Sequence, residues 1–173
     1  AWSTRLFAAE LPEVLITSSC SKNFGLYRDR TGALIVCAKT ADKLVDIRSQ
    51  LANIARNLWS TPPDHGAAVV ATILGDPELK RLWADEVETM RLRIAQLRSG
   101  LVEALEPHGL RERFAHIGVQ RGMFSYTGLT PEQVKNLRDH HSVYMVSSGR
   151  ANVAGIDATR LDLLAQAIAD VCK

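Results

Sequence analysis

A chain of 173 residues with 46% hydrophobic and 23% charged side chains has the profile of an ordinary globular protein able to bury one or two cores. Its net charge of +2, from 21 basic and 19 acidic side chains, is too small to mark a surface built for nucleic acid or an anionic membrane. No apolar run approaches the roughly 18 residues of a membrane helix.

The sequence opens in mid-pattern with Ala1-Trp2-Ser3-Thr4-Arg5 and no methionine or signal peptide, which predicts a piece of a longer polypeptide. A helix end is expected over Trp2–Glu10, then a strand at Val14–Thr17, a polar loop, and a second strand at Ala33–Cys37. Thr40 is placed to cap a helix reaching about Arg56, with Leu44, Ile47, Leu51 and Ile54 on one face. Pro62-Pro63 stops regular structure, and an apolar helix follows from His65 to Leu74. Asp76-Pro77-Glu78 supplies an N-cap, a first-turn proline and a first-turn acid. From there Leu79, Trp83, Val87, Met90, Ile94, Leu97, Leu101 and Leu105 keep helical spacing, a helix of roughly 40 Å that reads as a spine joining two domains. The boundary between those domains is expected inside this helix. Beyond the spine the pattern is α+β: strands at Phe114–Val119 and Met123–Tyr126, a capping-box helix from Thr130 to His140, a strand at Val143–Val146 and a closing helix over Asp157–Val171.

The loop between the first two strands, Ser18 to Gly32, crowds serines, a cysteine, a lysine and two arginines into one turn. Lys22 has three readings. A solvated surface lysine is the ordinary one. Ser19-Cys20-Ser21-Lys22 satisfies S-x-x-K, but the S-D-N and K-T-G companions of that acyl-enzyme class are missing, and Lys39-Thr40-Ala41 fails at its third position. The third reading makes Lys22 a Schiff-base nucleophile. An amine attacks a carbonyl only when unprotonated, a form that desolvation and nearby cations favour. Ser19, Ser21 and Arg30 supply donors suited to a phosphate. An aldehyde-reactive lysine beside a phosphate site is what pyridoxal phosphate requires.

Two further arginines extend this. Arg150 lies in Ser147-Ser148-Gly149-Arg150-Ala151-Asn152-Val153-Ala154-Gly155, where small residues let a ligand approach the backbone and the guanidinium can clamp a carboxylate. Arg56 ends a helix just before Asn57-Leu58-Trp59-Ser60-Thr61-Pro62-Pro63. Two arginines for two carboxylates, with a lysine for amine transfer, suit a dicarboxylic amino acid.

Four stretches taken in order, SSCSKNFGLYRDRTGA, ARNLWSTPPDHGAAVV, RGMFSYTGLTPEQV and SGRANVAG, closely resemble the aspartate and aromatic amino acid aminotransferases over essentially the whole chain. These are class I pyridoxal-phosphate enzymes of fold type I. The resemblance implies an α/β fold: the C-terminal end of the large cofactor-binding domain (residues 1–75), then a long connecting helix and the small α+β C-terminal domain (residues 76–173). It implies that Lys22 forms the Schiff base with the cofactor and then moves the proton between the substrate α-carbon and the cofactor. Ser19 and Arg30 would hold the cofactor phosphate, with Ser21 beside them. Arg150 would bind the substrate α-carboxylate and Phe124 would pack over the substrate. Arg56, with Ser60 beside it, would bind the distal carboxylate in the neighbouring subunit's site, so the resemblance implies a homodimer sharing its active sites. Thr61 stands where many aspartate-specific members carry asparagine, and Gln120–Tyr126 is more similar to the broad-specificity aromatic members. The expected activity is therefore transamination between an aromatic or acidic L-amino acid and a 2-oxo acid, in the cytoplasm.

The upstream portion of such enzymes, which holds the aspartate on the pyridine nitrogen and the ring stacked on the cofactor, has no counterpart here. A rival expectation follows: a chain limited to these residues is a catalytically incompetent assembly module. Other residues take bland readings. His65, His108, His116, His140 and His141 share no metal-ligand spacing, and no metal is expected; His65 is placed near the subunit contact. Trp59 and Trp83 are read as packing and Arg91, Arg93 and Arg98 as a solvated helix face. Cys20, Cys37 and Cys172 are read as idle thiols of a reducing compartment.

Overall fold

The computed structural model of the chain describes residues 2–173. The chain divides into two compact units, one ending at Ala84 and the other spanning Asp85–Lys173.

In the first unit, helix α1 (Trp2–Glu10) leads into strand β1 (Val14–Ser19), which pairs antiparallel with β2 (Gly32–Cys37) in a register running from Val14↔Cys37 to Ser19↔Gly32. Helix α2 (Ala41–Trp59) follows, with Thr40 at its N-cap position although the Thr40 side chain makes no capping bond. Helix α3 spans His65–Gly75. Helix α4 (Pro77–Ala104) starts as its sequence dictates: Asp76 Oδ1 accepts from the backbone N–H of Glu78 at 2.8 Å and of Leu79 at 2.9 Å. No residue of α1 or α2 is buried, and their apolar side chains stay open, with Trp2, Val45, Leu58 and Trp59 all more than half exposed. These amphipathic faces are unpartnered within the unit.

The second unit holds the core. Every fully buried hydrophobic side chain among the described residues lies within it, centred on Leu101, Leu105, Phe114, Ile117, Leu137 and Ile168. Each such side chain contributes about 1.5–3 kcal/mol by leaving water. Its elements after α4 are α5 (Arg111–Val119), β3 (Phe124–Tyr126), α6 (Pro131–His141), β4 (Arg150–Asn152) and α7 (Leu161–Cys172). Strands β3 and β4 pair antiparallel, Phe124 opposite Asn152 and Tyr126 opposite Arg150. Helix α6 opens on the expected capping box: Thr130 Oγ1 accepts from Gln133 N at 3.2 Å, and Gln133 Oε1 accepts from Thr130 N at 3.0 Å.

Three expectations are corrected. Phe114–Val119 is helical, within α5. Leu110, Phe114 and Ile117 recur at spacings of four and three, and Val119, which a strand would bury, is 82% exposed. Val143–Val146 forms no strand and joins no ladder; the strand lies at Arg150–Asn152. Ser142 adopts a left-handed C-cap (φ 55) and Val143 N donates back to Leu137 O, so this stretch is the exit from α6. The closing helix starts at Leu161 rather than Asp157. Asp157 Oδ1 accepts from Thr159 N at 2.9 Å and directs a 3₁₀ turn over Ala158–Arg160 first. Among the described residues no helix is long and apolar enough to cross a membrane.

Candidate functional site

The β1–β2 hairpin fixes the two ends of the Lys22 loop. Cys20 N donates to Thr31 O at 2.9 Å beyond the last ladder pair, and Cys20 O accepts from Phe24 N and Leu26 N inside the loop. Ser19 Oγ donates to Ser21 Oγ at 2.9 Å and accepts from Ser21 N at 3.2 Å, a hydroxyl turn closed on itself. Ser21 is buried, while Ser19, Lys22 and Arg30 are exposed. Lys22 Nζ stands 4.2 Å from the centre of the Tyr27 ring, within cation–π range. Burial of Lys22 between apolar strands is not what this chain supplies. Leu15, Leu34 and Ile35 are themselves about half exposed or more, so the strands give the amine no dry pocket.

Arg30 has a left-handed backbone (φ 53), an uncommon state for a residue with a side chain, and its Nη1 donates to Tyr27 O at 3.0 Å. The guanidinium thus reaches back across the same turn that carries Tyr27. Behind it, Gly66 at the start of α3 lies against Asp29 and Thr31; a Cβ there would collide with Thr31 Oγ1 and stand 2.9 Å from Asp29 Cβ. His65 Nδ1 lies 3.0 Å from Asp29 Oδ1, which gives that histidine a partner inside the unit. On the other flank Trp83 stacks on Phe24, centroids 4.7 Å apart and planes 11° apart, and Trp83 Nε1 donates to Asn23 O at 2.7 Å. Asn23 and Phe24 are therefore both gripped. Trp83, read from sequence as packing, packs on the residues just after Lys22.

Arg56 and Ser60 meet through the backbone. Ser60 N donates to Arg56 O at 2.8 Å as the C-cap of α2, with Ser60 at φ 59 and ψ −83, and both side chains are exposed.

In the second unit, antiparallel pairing sets Phe124 and Tyr126 on one face of β3 and turns Ser125 inward, where it is 3% exposed. Arg150 is opposite Tyr126, so its guanidinium leans diagonally over the Phe124 ring, 5.2 Å from its centre. The preceding Gly149 (φ 79) has its carbonyl held twice by Thr127, by N–H at 2.9 Å and by Oγ1 at 2.8 Å. Asn152 Oδ1 caps the next turn by accepting from Ala154 N at 3.1 Å.

Arg98 does not belong to a solvated face. It is 2% exposed, and burial pushes its guanidinium down from its ordinary value. Nη1 donates to Ile117 O at 3.0 Å and to Ser125 Oγ, and Nη2 donates to Gly122 O at 2.7 Å and Phe124 O at 2.9 Å. Arg91, by contrast, pairs with Glu88 in the open, and Arg93 donates to Ala154 O and Ile156 O. The signal for Arg98 was present in the sequence: Ile94, Arg98, Leu101 and Leu105 follow spacings of four, three and four, which puts the arginine on the apolar stripe.

A family model for aminotransferase class I and II matches residues 1–168, and the chain belongs to that family. Over 99% of its length it is 78% identical to the aromatic-amino-acid aminotransferase of Pseudomonas aeruginosa and 42% identical to the aspartate aminotransferase of the same organism, in each case covering 43% of the relative. Among solved structures, the aromatic-amino-acid aminotransferase of Burkholderia pseudomallei, covalently bound to pyridoxal phosphate, superposes with a TM-score of 0.92 at 45% identity over 99% of this chain and 43% of that one. The fold is accordingly the α/β fold of fold type I transferases, here its C-terminal portion. The chain spans less than half the length of these relatives.

Proposed function

We propose that the full-length protein carrying this sequence is a pyridoxal-phosphate aminotransferase that exchanges the amino group of an aromatic or acidic L-amino acid with a 2-oxo acid. The observation that carries this reading is the loop itself. Lys22 stands in the open over Tyr27, and in chain order it falls between a serine hydroxyl pair and a guanidinium that folds back across the turn. The donor set fits the cofactor: hydroxyls and a planar cation suit a phosphate, and a single amine suits an aldehyde. Bound there, pyridoxal phosphate supplies the carbonyl that captures the amine and an electron sink for the α-carbon.

The chain's own residues then divide the work. Ser19, Ser21 and Arg30 would hold the phosphate. Lys22 would supply the amine for the covalent anchor and would carry the proton on and off the substrate α-carbon as general base and acid. Arg150 takes the α-carboxylate, a bidentate task for which its exposed fork is available, and Phe124 covers the substrate from the adjacent strand. Arg56 and Ser60 reach the distal carboxylate of a substrate in a second subunit. The partner is then a second copy, and α1 and α2 carry unpartnered apolar side chains of the kind an interface would cover. The higher identity to the aromatic relative, 78% against 42%, supports aromatic donors ahead of aspartate. A cytoplasmic setting accords with three free cysteines among the described residues.

The test is steady-state transamination by the full-length protein with phenylalanine, tyrosine and aspartate against 2-oxoglutarate. Aromatic donors are expected to match or exceed aspartate in kcat/KM. Lys22→Ala should lower kcat by roughly 10²–10⁴-fold, the usual contribution of a positioned acid–base group, and should still bind 3-indolepropionate, the ligand in a solved aromatic amino acid aminotransferase that is 42% identical to this chain. A Lys22→Ala enzyme within a few-fold of wild type would sink the reading. The open apolar faces also favour a second reading for residues 1–173 taken alone, an assembly module without turnover; measurable transamination by that piece would overturn it.

A further inference from the structure

Arg98 is a buried cation whose hydrogen-bond acceptors among the described residues are all neutral: three backbone carbonyls and one hydroxyl. Its Nε has no hydrogen-bond partner. Burying a guanidinium without an anion is costly, and a methionine would fill the same space without that cost. What the methionine lacks is the planar fork, which here ties two separate segments together: the end of α5 through Ile117 O, and the turn into β3 through Gly122 O and Phe124 O.

The segment being tied is weakly held by other means. Strand β3 has three residues and one partner strand of three, a ladder too short to fix its own orientation. Gln120 helps from the side, its Oε1 accepting from Ser125 Oγ at 2.8 Å. The inward Ser125 and the Phe124 carbonyl are held by Arg98, while the Phe124 ring, on the opposite side of the same backbone, faces Arg150. A tilt of β3 would therefore swing the ring away from the guanidinium it now meets at 5.2 Å.

We propose that Arg98 is a positioning residue for substrate binding, its fork locking the Gly122–Phe124 backbone so that Phe124 and Arg150 together face one carboxylate-bearing substrate. This rests on the assignment of Phe124 and Arg150 to the substrate made above.

The experiment uses the full-length, cofactor-loaded protein with Arg98→Met, Arg98→Lys and Ser125→Ala. It reads KM and kcat for phenylalanine, the dissociation constant of 3-indolepropionate by calorimetry, and thermal unfolding. Arg98→Met and Arg98→Lys should each raise KM and the dissociation constant about tenfold, the effect of losing one hydrogen bond to a charged group, with kcat within about threefold. In a Phe124→Ala background the same Arg98 change should weaken 3-indolepropionate by less than about twofold, because contacts that act through one another do not add. If Arg98→Met fails to fold, Arg98→Lys and Ser125→Ala carry the comparison, Ser125→Ala shifting the constants the same way by about threefold. A lowered melting temperature with KM and dissociation constant unchanged would make Arg98 a fold anchor only and overturn the proposal. A tenfold effect that persists in the Phe124→Ala background would overturn it too. A wild-type protein that neither transaminates nor binds 3-indolepropionate would instead overturn the functional reading beneath it.

Discussion

Gly149→Ala tests how the Arg150 segment is held. At φ 79 a residue with a Cβ costs about 1–2 kcal/mol relative to glycine. The added methyl would also stand 2.9 Å from Leu129 O and 3.2 Å from Thr127 Oγ1. The first of these is backbone and cannot turn away. Rotating the 149 peptide is no escape, because its carbonyl is held by both the N–H and the hydroxyl of Thr127. Forcing a methyl into such a contact adds about 1–3 kcal/mol, for a total near 3 kcal/mol. For a unit the size of Asp85–Lys173 this corresponds to a melting shift of at least about 10 °C. Relief of the clash must push the chain outward at the residue next to Arg150, so carboxylate binding should weaken alongside stability. Differential scanning calorimetry and 3-indolepropionate calorimetry on the same sample decide it. A Gly149→Ala protein that melts within about 3 °C of wild type and binds equally well would refute both the strain and its link to Arg150.

Two further outcomes follow from named contacts. Trp83→Phe keeps the stack on Phe24 but deletes the bond to Asn23 O, worth about 0.5–1.5 kcal/mol net. Trp83→Leu loses both, so borohydride trapping of cofactor on Lys22 should slow in the order wild type, Phe, Leu, and equal rates would show that the brace does not reach the lysine. Asp139 titrates at about 2, held down first by the Arg138 hydrogen bond and then by Lys135. Its folded value lies below the ordinary ~3.9, so whatever the pair contributes is complete above pH ~4 and lost as pH falls through about 2. Carboxyl NMR should give that midpoint, and Arg138→Gln should move it upward; no movement would contradict the cause.

Elements whose signal is local were readable before folding. Thr130-Pro131-Glu132-Gln133 and Asp76-Pro77-Glu78 carry their own caps, and both caps form as written. The hairpin strands, expected from Val14 and Ala33, were legible because β-branched and apolar runs flank a polar loop. Where tertiary context chose, the sequence was ambiguous. Phe114-Ala115-His116-Ile117 fits either period until Leu110 is counted with it. Val143–Val146 alternates in burial as a strand would, yet among the described residues it pairs with no strand. Among candidate site residues, Lys22, Ser19, Ser21 and Arg30 were singled out by their chemistry, which sequence displays. Arg98 and Trp83 were passed over because their importance lies in what they touch, and a charge on a helix is ordinarily read as a solvated one.

The fit of Gly66 against Asp29 and Thr31 bears on how far the Lys22 loop can be transplanted. Ser18 to Gly32 looks self-sufficient on paper, an interchangeable cassette between two strands. Its C-terminal shoulder is nonetheless moulded on a residue more than thirty positions away, with the Asp29–His65 contact beside it. A graft of the cassette into another scaffold would inherit the shape only if the dipeptide His65-Gly66 travelled with it, and directed libraries over positions 29–31 should vary 65 and 66 in the same design.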